Sequence, residues 1–173
     1  MFTMKFLLAI ITDGLLAAVA GTGFAIISNP PRKALLISAF LACVGHGTRY
    51  FFMHFALIQA NLALASTMGA LLIGFLAIPF AMYIKCPAEV FAFPSLLPMV
   101  PGLYAYRTII ALMKMVQSPS VNVDTNQYVV QFFHNGMTTV LTMCGLVVGS
   151  VVPIFIFYKQ SFSVTRTKRE EKK

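Results

Sequence analysis

Long apolar stretches separated by short polar connections dominate the chain. They cover residues 6–27, 34–55, 62–83 and 90–115, and a fifth lies within residues 128–158. A lipid hydrocarbon core of about 30 Å needs roughly 20 apolar residues per spanning helix. The pattern therefore predicts an all-α fold, a polytopic membrane protein of about five transmembrane helices.

Two of these stretches are interrupted. The second contains Gly45-His46-Gly47-Thr48-Arg49 at its centre, which leaves open an alternative in which it lies in the membrane interface and only four helices span. The fourth contains Pro94, Pro98 and Pro101, and each proline removes an amide donor and clashes with the preceding turn. We therefore expect the fourth span to be broken. Pro30 and Pro31 mark a firm boundary after the first span.

Composition agrees with a lipid environment. The 173 residues are 58% hydrophobic and only 10% charged, against roughly 45–50% and about 25% in ordinary soluble domains. The net charge of +8 does not indicate nucleic-acid binding, because many of its cations lie in a basic run after the last apolar stretch. These are Lys159, Arg166, Lys168, Arg169, Lys172 and Lys173. We expect a membrane domain at 1–158 and a basic tail at 159–173.

The cations also predict an orientation. With five spans and the amino terminus outside, Arg32, Lys33, Lys85 and the tail lie inside, and Lys5 lies outside. Cytoplasmic loops of membrane proteins carry an excess of Lys and Arg. We therefore expect a multi-pass inner-membrane protein with a cytoplasmic carboxyl terminus, and the rule favours five spans over four.

No cofactor or metal is expected. Cys43, Cys86 and Cys144 are far apart, and no Cys or His pair has zinc-ligand spacing. The chain also lacks the G-x-x-x-x-G-K-[ST] loop that binds ATP phosphates, so direct ATP hydrolysis is not expected.

Charged residues inside the spans are candidates for function, since each costs at least ~2.5–3.5 kcal/mol at mid-helix on insertion scales. Asp13 lies within the first span, where it also argues against a cleaved signal peptide ending near Ala18-Val19-Ala20. Asp13 either pairs with Arg49 to hold two helices together or has a role in ion coupling or cargo binding. His46 is the second candidate for ion coupling.

The broken fourth stretch is the candidate for substrate binding. A half-helix starting at Gly102 would direct unpaired amides at the break, as in transporters whose half-helix ends hold a carboxylate. Arg107 and Tyr104 lie on the next turns and would add a cation and a hydroxyl. The alternative is a kinked structural helix with a snorkelling Arg107. The full set of expected substrate-binding residues is Pro98, Pro101, Gly102, Tyr104, Arg107, His46 and Arg49.

Small residues at helical spacing predict close helix packing. The clearest case is the G-x-x-x-G pair Gly145 and Gly149 in the fifth stretch.

Three motifs together resemble a known family. They are Asn29-Pro30-Pro31-Arg32-Lys33-Ala34-Leu35, then Gly45-His46-Gly47-Thr48-Arg49, then Pro98-Met99-Val100-Pro101-Gly102-Leu103-Tyr104-Ala105-Tyr106. In order and spacing they resemble the threonine/serine exporter family, and specifically its small stand-alone subunit. The resemblance covers nearly all of residues 1–158. It implies the shorter half of an inner-membrane exporter of threonine and serine, or of succinate in the two-subunit form, with a larger partner subunit.

The leading functional hypothesis is therefore a secondary exporter subunit that moves a small carboxylate metabolite with a larger partner, within lipid and without nucleic acid. A non-transporting scaffold that stabilises the partner is the alternative. An intramembrane enzyme using His46 and His134 is disfavoured, because no nucleophile–base pair has a recognisable spacing.

Overall fold

The computed structural model describes residues 4–54, 61–117 and 123–157, and within these ranges the chain is helical with no strand. The helices are α1 (Met4–Ile27), α2 (Arg32–His54), α3 (Leu62–Ile84), α4 (Glu89–Leu96), α5 (Gly102–Gln117) and α6 (Val123–Ile156), with a 3-10 turn at Leu97–Met99 between α4 and α5.

The predicted membrane architecture is confirmed. Four helices, α1, α2, α3 and α6, are each long and apolar enough to cross a membrane. The segment Glu89–Met99 and α5 pass the same test together and are bent by 52° where they meet, which makes up to five spans. The bend is the predicted break in the fourth span.

Two expectations about helix limits need correction. The second stretch is not interrupted, because α2 continues through Gly45, His46 and Gly47 from Arg32 to His54. The last helix begins at Val123, ahead of the expected window of residues 128–158. The basic tail at 159–173 lies outside the described residues.

Helix ends are set by residues that favour turns. Asn29, just before the two prolines, has a φ of 48°, and Lys85 ends α3 with a φ of 55°, so both adopt the left-handed conformation. Asn61 begins α3, and its side chain accepts a hydrogen bond from the Leu64 amide at 2.9 Å. Asn tolerates the left-handed region, which suits Asn29 to the turn after α1. Asn is also a preferred N-cap, which suits Asn61 to the start of α3.

Small residues allow α1 and α2 to approach closely. On α1 the buried positions are Gly14, Ala17, Gly21 and Ala25, while the opposite face is exposed and apolar. A Cβ added at Gly14 would lie 2.9 Å from the Cys43 sulfur, so the backbones are as near as glycine permits. Close backbone approach is the usual source of helix association in lipid.

Helix α3 is the centre of the fold and packs against both α2 and α6. A Cβ added at Gly69 would lie 2.6 Å from the Gly45 carbonyl oxygen on α2. On its other side, a Cβ at Gly149 of α6 would lie 2.7 Å from the Thr67 carbonyl oxygen, and one at Gly145 would overlap the Thr67 hydroxyl. The two glycines predicted for packing therefore lie against α3 of the same chain.

The two halves of the broken span have different neighbours. Helix α4 packs against α2, α1 and α3, whereas α5 packs mainly against α6. Buried Ser95 fixes α4 to α2, since its hydroxyl lies 2.9 Å from the Ser38 carbonyl oxygen. The fold thus places the break beside the middle of α2.

Candidate functional site

Asp13 and His46 form a hydrogen-bonded pair between α1 and α2. The Nδ1 atom of His46 lies 2.6 Å from Oδ2 of Asp13. His46 is buried, while about a third of the Asp13 side chain (34%) is accessible. A hydrogen bond this short between charged groups is among the stronger interactions of its kind, and it places an ionisable pair inside the bundle.

The carbonyl oxygens at the break complete the cluster. Nε2 of His46 lies 3.2 Å from the Pro98 carbonyl oxygen, and Nη1 of Arg49 donates to the Met99 carbonyl oxygen at 3.2 Å. We call Asp13, His46, Arg49 and the carbonyls of Pro98 and Met99 the break cluster. It joins α1 and α2 to the 3-10 turn.

Arg49 also lies against the His46 ring. Its Nη2 atom is 2.9 Å from Nε2 and 3.4 Å from Nδ1 of the imidazole. A donor that lay in the ring plane, on the lone-pair axis of one ring nitrogen, would be much farther from the other nitrogen. The guanidinium therefore stacks over the face of the ring, which leaves the outward direction of Nε2 to the Pro98 carbonyl.

The sequence explains why these carbonyls need partners. Pro101 has no amide hydrogen, and the Gly102 amide donates to the Val100 carbonyl at 2.8 Å instead of continuing the helix. The carbonyls of Pro98 and Met99 thus lose the amide partners that an unbroken α-helix would supply. Unsatisfied backbone groups are costly at membrane depth. The side chains of His46 and Arg49 contact these two carbonyl oxygens in place of the missing amides.

The expected row of unpaired amides at the break is not found at Gly102 and Tyr104. The Gly102 amide is bonded to Val100, and the Tyr104 amide donates to the Pro101 carbonyl at 3.1 Å. The break presents carbonyl oxygens to cations on α2, so its polarity is opposite to the expected one. Gly102 is exposed, and a Cβ there would meet nothing within 4 Å.

The glycines beside His46 do not interrupt α2, although the sequence left that possibility open. Both are helical, and a Cβ at Gly45 would overlap Ile73 of α3. Gly45 therefore allows α3 to approach closely on the side of α2 next to His46.

Arg107 lies in a second place, apart from the break cluster. It lines a cavity of about 590 Å³ between α5 and α6 together with the predicted Tyr104. We call this the α5–α6 cavity. Its polar lining residues are Tyr104, Tyr106, Arg107, Gln131, His134 and Asn135, and its apolar ones are Ile110 and Val130.

The structure therefore divides the predicted site in two. Asp13, His46, Arg49 and Pro98 come together, with Pro101 buried at the break. Asp13 pairs with His46, whereas the sequence interpretation offered Arg49 as its structural partner. Sequence reasoning did not assign Gln131 and Asn135 to the site, although polar residues four apart in an apolar helix share one face and could have indicated it.

Chemically, the break cluster can hold a proton, since it joins a carboxylate to an imidazole beside a fixed cation. The α5–α6 cavity offers a guanidinium, an imidazole, two phenols and two amides, a set suited to an anionic or strongly polar solute. No group of three or more His, Cys, Asp or Glu with metal-binding geometry occurs in residues 4–54, 61–117 and 123–157.

A helical multi-pass membrane protein with a broken span and intramembrane charges is the class that these features define. The family model described as "Threonine/Serine exporter, ThrE" matches residues 13–156, and the chain belongs to that family.

One curated relative is an uncharacterised protein of Haemophilus influenzae. It is 29% identical over 155 residues, which cover 90% of this chain and 50% of the relative. The chain thus spans about half the length of that relative. No solved structure matches the chain.

Proposed function

We propose that this chain is the small subunit of an inner-membrane secondary exporter of small carboxylate metabolites, either dicarboxylates such as succinate or threonine and serine. It acts with a larger partner subunit of the same family. Asp13 and His46 couple transport to an ion gradient, and the α5–α6 cavity binds the cargo through Arg107 and Tyr104.

The observation that carries the proposal is the break cluster, a set of ionisable side chains inside the helix bundle of a chain that belongs to an exporter family. Ionisable residues within spans are rare and mark ion or substrate pathways by default. Here a buried His46, paired with Asp13, contacts backbone released by a broken helix, and broken helices are a common source of binding sites in transporters.

The position of Arg107 supports the α5–α6 cavity as the cargo site. Arg107 lies in the α5–α6 cavity, where a carboxylate could accept two parallel hydrogen bonds from its guanidinium. Lys114, also on α5, instead lies 5.4 Å from the centre of the Tyr128 ring and does not line that cavity.

The length of the Haemophilus influenzae relative also agrees with a two-part exporter. The matched region covers 50% of that relative, which leaves room in one chain for this part and for a second part.

The test is efflux of labelled succinate, threonine and serine from cells that lack this chain, its partner or both. We expect equal loss in each single deletion and rescue by the wild-type chain. Arg107→Gln should reduce efflux at least about tenfold, the effect of losing about 1.4 kcal/mol of cargo binding. Lys114→Gln removes a cation from the same helix and should leave efflux near wild type.

The scaffold alternative gives the opposite result. If the chain only stabilises its partner, Arg107→Gln and His46→Gln should both transport normally as long as the complex assembles. Normal efflux of all three solutes by these variants, with the complex recovered intact, would refute the exporter assignment for this subunit.

A further inference from the structure

We infer that the Asp13–His46 pair is a proton-binding site whose occupancy decides whether the Pro98 carbonyl, at the break in the fourth span, is bonded to α2. The proton-loaded pair donates a hydrogen bond from Nε2 of His46 to the Pro98 carbonyl. Loss of the proton removes that donor and releases Pro98. The inference rests on the proposed coupling role of these two residues and adds the structural element on which the proton acts.

The argument begins with what surrounds the two ring nitrogens. Nδ1 faces a carboxylate oxygen of Asp13 at 2.6 Å, and Nε2 faces the Pro98 carbonyl oxygen at 3.2 Å. A carbonyl oxygen only accepts, and so does an ionised carboxylate. Hydrogens are therefore required at both nitrogens, or at Nε2 and on the carboxyl group of Asp13.

Either arrangement holds one more proton than a neutral imidazole beside an ionised carboxylate. A neutral imidazole has a single N–H, and the ionised Asp13, at the shorter distance, retains it on Nδ1. Nε2 then presents a lone pair to the lone pairs of the Pro98 carbonyl, and this contact becomes repulsive. The described geometry is therefore that of the proton-loaded pair.

The remaining charges near His46 are few. Arg49, stacked on its ring, is the cation supplied by α2, and Cys43 and Tyr50 lie one turn away on the same helix. The 3-10 turn offers only backbone carbonyls, and α4 has its ionisable Glu89 at the far end. Within α3 the sequence has no ionisable residue before Tyr83, so Asp13 is the acidic group that faces His46, and Arg49 is the cation that faces it.

The two side chains differ in accessibility. The Asp13 side chain is partly accessible, whereas His46 is buried beside it. In the unloaded pair Nδ1 of His46 already carries a hydrogen that the Asp13 carboxylate accepts across the 2.6 Å contact, so the added proton binds at Nε2. Arg49 keeps its own bond to the Met99 carbonyl in both states, so α2 loses one of its two bonds to the break when the proton leaves.

The first test locates the hydrogens by ¹⁵N NMR of the full chain in lipid nanodiscs. His54→Gln and His134→Gln leave His46 as the sole histidine. We expect both ring nitrogens to be protonated at low pH, and Nε2 to lose its proton as the pH rises while Nδ1 keeps its own. A neutral form that carries its hydrogen on Nε2 would overturn the inference, because Pro98 would then stay bonded without the extra proton.

The second test reports on the break itself. Gly102→Cys introduces a thiol where a Cβ has open space, in a chain with Cys43→Ser, Cys86→Ser and Cys144→Ser. The His46→Gln variant retains a permanent amide donor for Pro98, and His46→Leu has none. Thiol labelling should differ between these two variants by roughly fivefold, the lower end of ordinary coupling between sites, and should not differ between them if the break is insensitive to the donor.

Neither test involves cargo or the partner subunit. Normal efflux by the Arg107→Gln variant together with the expected NMR and labelling results would therefore refute the proposed function and leave the proton site standing. Normal proton-dependent efflux with a neutral Nε2–H form of His46 would do the reverse.

Discussion

His46 and Asp13, 33 positions apart in the chain, meet at 2.6 Å between two helices that are otherwise joined by small residues. The pair is the ionic link between α1 and α2 inside the bundle, and the same imidazole reaches the break. A change on α1 can therefore act on the fourth span through a single side chain.

Replacing Asp13 by Asn should weaken both the link and its function. The bond to His46 is charge-assisted, and such bonds contribute about 1.5–3 kcal/mol; partial exposure of Asp13 places the loss near the lower figure. Thermal unfolding in detergent measures this effect, and efflux at several pH values measures coupling. Thr12→Val is the matched control, because the Thr12 hydroxyl bonds only to the Ala9 carbonyl of its own helix among the contacts described. An Asp13→Asn chain with wild-type stability and wild-type pH dependence would contradict the role of the pair.

Gly145→Ala should destabilise the bundle by about 1–3 kcal/mol, the usual cost of overpacking a close contact. Its added methyl group would overlap the Thr67 hydroxyl on α3. Gly23→Ala, where a Cβ meets nothing within 4 Å, should be neutral or slightly stabilising because alanine favours a helix. Unfolding of the two variants side by side checks the contact, and Thr67→Ala should restore part of the stability lost in Gly145→Ala. Equal stabilities for the two glycine variants would argue against this packing.

Cys86 should react slowly with thiol reagents at neutral pH. It lies in the connection between α3 and α4, where burial, and then the charge of Glu89, raises the pKa of its thiol above the ordinary 9.0. The thiolate is the reactive form, so at any pH near neutrality the rate should be lower than that of an unperturbed thiol, and it should continue to rise at pH values where the rate of an unperturbed thiol has levelled off. Maleimide labelling of a chain with Cys43→Ser and Cys144→Ser measures this rate.

The reference for Cys86 is Ser28→Cys in a chain that has no other cysteine, because Ser28 is exposed in the α1–α2 connection. Glu89→Gln should accelerate Cys86 labelling by roughly twofold through removal of a nearby negative charge. If Cys86 matched the exposed reference at every pH, its environment would not be the one described.

The sequence was sufficient for the spans because lipid imposes a simple rule on length and polarity. It was also sufficient for the break, since Pro101 has no amide hydrogen to continue the α-helical bonding, and the Leu97 carbonyl accepts from the Val100 amide instead. The continuity of α2 was not predictable from Gly45 and Gly47, because it accompanies helix packing from distant parts of the chain, of α3 against Gly45 and of α1 beside Gly47.

The candidate site was predicted residue by residue but not in its arrangement. The intramembrane charges were identified because each is costly in lipid. Their partners depend on which helix faces which, and that is decided by small residues such as Gly14 and Gly69 at distant positions. The polarity of the break followed from the backbone bond between Gly102 and Val100, for which the sequence carries no signal.

The division of the fourth span between two sets of neighbours has a mechanical consequence. Ser95 ties its first half to α2, and its second half lies along α6. Val100 and Pro101 are thus a hinge between the two halves, across which α5 can swing while α2, α3 and α6 keep their mutual contacts. Because α5 packs mainly against α6, a swing of this kind would open and close the α5–α6 cavity at the cost of that one interface.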